Sequence, residues 1–321
     1  MNARHMAALV FLAAVWGASF LFIRVAAPVM GAFPLMAARV LIAAAALWLI
    51  ARARRTPIVL RPYWKQLLLL GLVHAAAPFS LIAMAEIRLT ASMAAVLIAA
   101  QPLLAALIGG IWLNEPISSR RAAGLLLGLM GVAVLVGWSP MVIDRPVALS
   151  IAATLLAAVC YAIGGLYARR RMSGAPVLTL ALGQQLGALA WLVVPAAITL
   201  PRATLNADAI GALLALALVC TALAYLIFFW LLGQVGVVKA ATVTYIIPVF
   251  GVVWGTVLLH EALSAGIVAG LGCILLSLVL VNNAPLRSLH RAAFRGGRAA
   301  ARGSDFALRE KERVEQRLVD P

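Results

Sequence analysis

A lone arginine inside an apolar run is the first residue of this sequence that could do chemistry. Arg39 sits in FPLMAARVLIAAAALW, among apolar and small neighbours. A cation in hydrocarbon costs about 2.5–3.5 kcal/mol on insertion scales unless something pairs with it. Three arrangements meet that cost: a hook for a substrate carboxylate, snorkelling to the outer headgroups, or a pair with Glu86. Gln184 and Gln185 are adjacent in a second apolar run, so at least one of them must face other helices and not lipid. His74 and Glu86 are titratable groups in or at the edge of such runs, the kind that proton coupling requires. Their structural alternatives are a packing histidine held by hydrogen bonds and a surface pair of Glu86 with Arg88. Trp16, Tyr161, Tyr225, Thr242, Thr244 and Tyr245 are polar or aromatic candidates for a cavity wall.

Enzymatic chemistry finds no footing, and no catalytic residue, metal site or cofactor is assigned. The run HEALS at 260–264 lacks the second histidine of HExxH, and there is no GxSxG. Cys160, Cys220 and Cys273 all fall inside apolar blocks, against both a disulfide framework and a metal cluster. A channel would need a ring of charge or a filter sequence, and neither is present.

The elements that carry these residues follow from composition. Of 321 residues, 65% are hydrophobic and 11% charged, where soluble domains carry about 25% charged residues. The solvent for most of this surface is therefore lipid. Apolar blocks long enough to span a bilayer run at 6–27, 33–51, 66–86, 91–113, 121–138, 148–168, 176–199, 209–232, 238–259 and 263–281. No ten-residue alternation suggests barrel strands. The first block is too long for a signal peptide and reads as a span. The fold class expected is an all-α integral membrane protein of about ten helices.

The net charge of +16 does not indicate a nucleic-acid partner, because the basic residues lie between the blocks and in the tail, not on one periodic face. With the N-terminus inside, the inner segments hold Arg4, Arg52, Arg54, Arg55, Arg61, Lys65, Arg120, Arg121, Arg169, Arg170, Arg171 and Lys239. The outer loops hold only Arg88, Arg145 and Arg202. This asymmetry places both termini in the cytoplasm. The tail, 284–321, reads as basic and disordered, with a short helix over 305–319 that could touch lipid.

An internal repeat organises the rest. AAVLIAAQPLLAALIGGIWLNEPISS from Ala94 aligns without gaps to AATVTYIIPVFGVVWGTVLLHEALSA from Ala240. Pro102 falls on Pro248, Gly109 on Gly255, Glu115 on Glu261, Ser118 on Ser264 and Gly124 on Gly270. Trp16 falls on Tyr161, and Arg39 on the Gln184–Gln185 pair. Two copies of an odd number of spans must lie inverted in the bilayer, the architecture of secondary transporters. The units expected are 1–140 and 141–283. Pro102 and Pro248 each remove a backbone donor in mid-span and serve either as hinge and cavity elements or as static kinks. Glu115 and Glu261 close spans four and nine and read as caps that fix a turn. The glycine motifs at 124–128, 251–255 and 266–270 suit close packing within the chain or a homodimer face.

WGASFLFIRV, FPLMAARVLIAAAALW and the proline-to-glutamate segment resemble the first EamA-type unit of the drug/metabolite transporter superfamily. ATVTYIIPVFGVVWGTVLLHEALS resembles the second, and the likeness covers about 6–281. That resemblance implies ten helices and secondary active transport in a bacterial inner membrane. It implies export of amino acids, other small metabolites or toxic compounds, with uncoupled facilitative carriage as the alternative. Arg39 matches an arginine often found in EamA-type sequences, whereas Cys160–Tyr161 stands where a tryptophan is common. The partners implied are membrane lipid and a small-molecule substrate.

Overall fold

The computed structural model describes residues 2–112, 118–172, 174–200 and 205–282. Within them the chain is all-helical. Nine helices are long and apolar enough to cross a membrane: α1 Ala3–Met30, α2 Ala32–Ala53, α3 Arg61–Ala85, α4 Ala91–Trp112, α5 Ser119–Gly137, α6 Arg145–Arg171, α7 Val177–Thr199, α8 Ala207–Gly236 and α9 Lys239–Leu258. A shorter apolar helix, α10 Ala265–Val281, completes the set. The expected spans agree to within a few residues. Glu115 and the tail lie outside the described residues.

Helix starts follow local chemistry. Asn2, Thr90, Ser118, Asp144, Asn206 and Ser264 each accept a hydrogen bond from the amide three residues on, satisfying one orphan donor of α1, α4, α5, α6, α8 and α10. Gly31, at φ 81°, turns α1 into α2 in one residue, and Gly236, at φ 79°, ends α8.

Pairings between helices obey the two-fold exchange that inverted repeats require. Helix α1 packs on α9 as α6 packs on α4, α3 packs on α7 as α8 packs on α2, and α2 meets its mate α7 directly. All ten helices fall in one contact unit. Helices α5 and α10 meet through their glycines: a Cβ built at Gly131 would lie 2.9 Å from Ile274, and one at Gly270 would lie 2.8 Å from Leu135. These motifs are thus spent on packing inside the chain. Large apolar side chains such as Leu126, Leu129 and Met130 face outward, where lipid covers them.

Three features depart from a regular bundle. Leu72–Ala76 of α3 and Ala215–Leu223 of α8 are π-helical, at matching places in the two repeats. Helix α4 breaks at Ala99–Ala100, so that Pro102 stands second in the segment Gln101–Trp112, where a missing donor costs nothing. Pro248 behaves differently: it is buried inside the continuous segment Val243–Leu258, and the break lies earlier, at Thr242. The two prolines are matched in sequence but do not make matched kinks.

Helix α3 crosses α7 at Gly71 and Gly187, where an added Cβ would sit 2.4 Å from backbone atoms on either side. Backbone cannot yield as a side chain can. Gly71→Val is expected to destabilise the protein by about 1–3 kcal/mol, read as a fall in the thermal midpoint in detergent. Gly165→Ala, with open space around it, should leave the midpoint unchanged.

Candidate functional site

The π-turn in α3 carries His74 and that in α8 carries Cys220 and Thr221. An extra residue per turn swings side chains out of the regular register, and such bulges often mark functional sites. Here they bring Thr221 to Arg39 and His74 to Tyr161.

Arg39, on α2, is 5% exposed. Its Nε donates to the Thr221 hydroxyl at 2.9 Å, and the Thr221 hydroxyl in turn donates to the Leu216 carbonyl at 2.8 Å. One terminal nitrogen lies 3.9 Å from the Met36 sulfur, and the guanidinium carbon stands 3.9 Å above the centre of the Phe79 ring. These partners are a hydroxyl, a thioether and an aromatic face, all uncharged. Arg39 therefore does not snorkel to headgroups. Nor does it pair with Glu86, whose carboxylate makes no hydrogen bond among the described residues.

Around Arg39 the two repeats contribute matched side chains. Phe79 and Tyr225 stand 146 residues apart, as do His74 and Cys220. Phe79 meets Tyr161 with ring centres 6.3 Å apart, and Tyr225 meets Trp16 at 6.4 Å. His74 stands edge-to-face against Tyr161 at 5.4 Å. Gln184 donates to the Tyr225 hydroxyl at 2.8 Å. The symmetry is broken in charge: one repeat supplies a cation, the other two neutral amides. The result is one positive charge in a wall of aromatic rings, amides and hydroxyls. Such a wall can hold an anionic head against the guanidinium and an apolar body against the rings.

The wall also carries unmet hydrogen-bonding capacity. Among the described residues, the fully buried Gln185 makes no well-formed hydrogen bond, though the Tyr225 hydroxyl stands within weaker reach of it, and Nδ1 of His74 also makes none. Buried polar atoms are ordinarily paired, and a polar occupant would satisfy these.

Of the sequence-predicted site residues, Trp16, Arg39, His74, Tyr161, Gln184 and Gln185 come together on α1, α2, α3, α6 and α7, with Tyr225 on α8. Thr244 spends its hydroxyl on the Ala241 carbonyl, and Tyr245 packs beside the apolar cluster that holds Leu97 and Leu103. Phe79 and Thr221 were missed. Both look like ordinary apolar or small residues; only the 146-residue offset of Phe79 from Tyr225, and the place of Thr221 beside Cys220, the repeat mate of His74, could have marked them.

A second constellation lies at the far end of the bundle. Glu261 accepts hydrogen bonds from the amides of Ala91 and Ser92 at 2.7 and 2.9 Å, and from the Ser92 hydroxyl at 2.6 Å. It thus caps α4, a helix of the opposite repeat, and not the turn beside it as the sequence suggested. The carboxylate meets the positive end of that helix. Glu86, at the end of α3, is fully buried, which rules out a surface pair with the exposed Arg88. Arg24 bends inward and donates to the Glu86 carbonyl instead of reaching for headgroups.

Near this end α9 lies against α4. A Cβ built at Gly255 would lie 2.4 Å from the Ser92 hydroxyl, and one at Gly251 would lie 2.3 Å from the Ala95 Cβ. At the other end the inner segment Gln101–Trp112 leans on α6. Among the described residues, a Cβ at Gly109, the buried mate of Gly255, would meet Leu166 at 3.6 Å. Among the described residues no three of His, Cys, Asp and Glu gather in a way that could hold a metal ion.

The family model for the EamA-like transporter family matches this chain twice, over residues 5–137 and 148–283. The chain is 28% identical over 282 residues to "Uncharacterized transporter YvbV" of Bacillus subtilis, covering 85% of this chain and 90% of that protein. It is 29% identical over 279 residues to a "Probable amino-acid metabolite efflux pump" of Salmonella typhimurium, covering 83% of this chain and 90% of that one. A solved crystal structure shares the fold with a TM-score of 0.62 at 19% identity, covering 88% of this chain and 97% of the other.

If the unmet polar groups serve a ligand, removing them should separate function from stability. Gln185→Leu is expected to hold or raise the thermal midpoint, since it removes a buried unpaired amide worth about 1–3 kcal/mol. The same variant should lose most of its transport. A fall in both would mark Gln185 as a packing residue.

Proposed function

The chain belongs to the EamA-like transporter family, and on that premise we propose that it is a secondary active exporter of small metabolites that carry a carboxylate, amino acids among them. It is a multi-pass membrane protein. The proposal places it in a bacterial inner membrane with both termini in the cytoplasm, following the excess of Lys and Arg in one set of loops. The observation that carries the substrate reading is the buried guanidinium of Arg39, whose hydrogen-bond and ring partners among the described residues are neutral. A site that leaves a cation unpaired in hydrocarbon is completed by an anion. The efflux-pump name of the Salmonella relative supports the direction of transport.

The transport cycle follows from the repeat. Glu261 holds the first turn of α4 and, with Gly255, would close the outer end. Exchange of the two repeats' conformations would release Gly255 and open that end. The substrate would ride at Arg39 between the two closures, which is alternating access around a fixed site. His74 and Glu86 are the candidates to couple that exchange to protons. Pro102, at the start of the inner α4 segment, is the hinge candidate, and Pro248 becomes a cavity-wall candidate.

Purified protein in liposomes, offered a panel of labelled carboxylates with and without a pH gradient, tests the reading. Saturable flux that Arg39→Ala abolishes and Arg39→Lys partly restores is expected. Gradient-driven flux lost in His74→Ala or Glu86→Gln identifies the coupling group. Flux indifferent to the gradient in wild type makes the protein a facilitative carrier. No difference between wild type and Arg39→Ala would remove the anion site.

The closure has its own test. Hydrogen bonds to a charged group contribute about 1.5–3 kcal/mol each, so Glu261→Ala should open the outer end by at least tenfold. In a background without the three native cysteines, a cysteine at Ala95 should then react faster with an impermeant thiol reagent added outside. An unchanged rate would mean that Glu261 only caps a helix.

A further inference from the structure

At the end of the bundle that carries the arginine-rich loops, the described part of α4 reaches Trp112 and α6 ends at Arg171. Two adjoining cavities open between these helix ends. One, of about 290 Å³, is lined by Trp112, Tyr167, Arg170 and Arg171. The other, of about 220 Å³, is lined by Trp112, Leu166, Arg169 and Arg170. They share Trp112 and Arg170, whose guanidinium carbon stands 5.9 Å from the centre of the Trp112 ring, at the outer limit of a cation–π contact. Neither cavity belongs to the Arg39 site, and the lining residues among those described include no acid.

The frame is firm on one side. Tyr167 packs against the cluster of Leu67, Leu70, Met172 and Ala175. The other side is open: Trp112 is 46% exposed, at the depth where a span gives way to headgroups. From the three arginines the lining runs back into the span to Leu166, so the charged end continues into an apolar one.

We propose that these joined cavities are a binding site for an anionic phospholipid. Its phosphate would lie between Arg170 and Arg171, and the start of an acyl chain would lie along Leu166 and Trp112. Three features select a lipid over a soluble anion: the depth of the site, the exposed indole, and the apolar extension. Basic pockets between helix ends at this surface are suited to lipid headgroups. An occupant there touches both α4 and α6, and α4 is the helix whose outer end Glu261 caps. The lipid would therefore hold the inner end of α4 against α6.

The test uses the full chain in mild detergent. Phosphatidylglycerol should raise the thermal midpoint of the wild type more than the same mole fraction of phosphatidylcholine. Arg170→Gln with Arg171→Gln should remove most of that excess, whereas Arg52→Gln with Arg55→Gln, at the same end but outside the cavities, should keep it. Native mass spectrometry, counting retained phosphatidylglycerol, should show the same ordering and covers the case in which the pocket variant is itself less stable. The proposal is overturned by equal losses in the two variants, which would mean net charge alone. It is also overturned if inorganic phosphate reproduces the shift, a free-anion site, or if the two lipids do not differ.

Discussion

Hydrocarbon offers a guanidinium nothing to bond with, and the arrangement around Arg39 follows from that. The charge is held by Thr221, Met36 and the face of Phe79, three neutral partners that orient it without neutralising it. To bring Thr221 to that position α8 takes a π-turn, and α3 takes the matching one with His74. A carboxylate partner from the protein would have satisfied the cation permanently. Neutral partners leave it available, and a bound anion then stabilises the site only while it is present.

Symmetry explains how such a site can be reached from two sides. The aromatic pairs Phe79–Tyr161 and Tyr225–Trp16 are copies of one contact, and they flank the place where the repeats exchange. At the outer end Gly255 is pressed against Ser92 and Glu261. Two copies of one unit would give the chain a second conformation of comparable energy, with the roles of the repeats exchanged.

Much of this was legible in the sequence, for physical reasons. Span length is set by bilayer thickness, so apolar blocks mark the helices to within a few residues. Arg39 and Gln184–Gln185 stood out because polar groups in such blocks must face the interior. What escaped depends on contacts between distant segments. Glu261 read as the cap of its own turn, because nothing local reveals that α4 of the other repeat presents its amides there. For Glu86, near a span end, a surface pair with Arg88 was one reading, yet the fold buries it. Pro102 and Pro248 fall on one another in the repeat, but α4 breaks at Ala99–Ala100 and α9 runs straight through its proline, because their neighbours differ. The π-turns have no local signature, since Leu, Val and Ala suit either helix.

The central claim is that the neutral surroundings of Arg39 make it an anion site. The most direct measurement is equilibrium binding of a carboxylate substrate and its uncharged amide analogue to the purified protein, in wild type and in Arg39→Gln. The account requires the carboxylate to bind at least tenfold more tightly than the amide in wild type, with that preference gone in the variant. Equal binding of the two ligands, or a preference that survives the substitution, would contradict it.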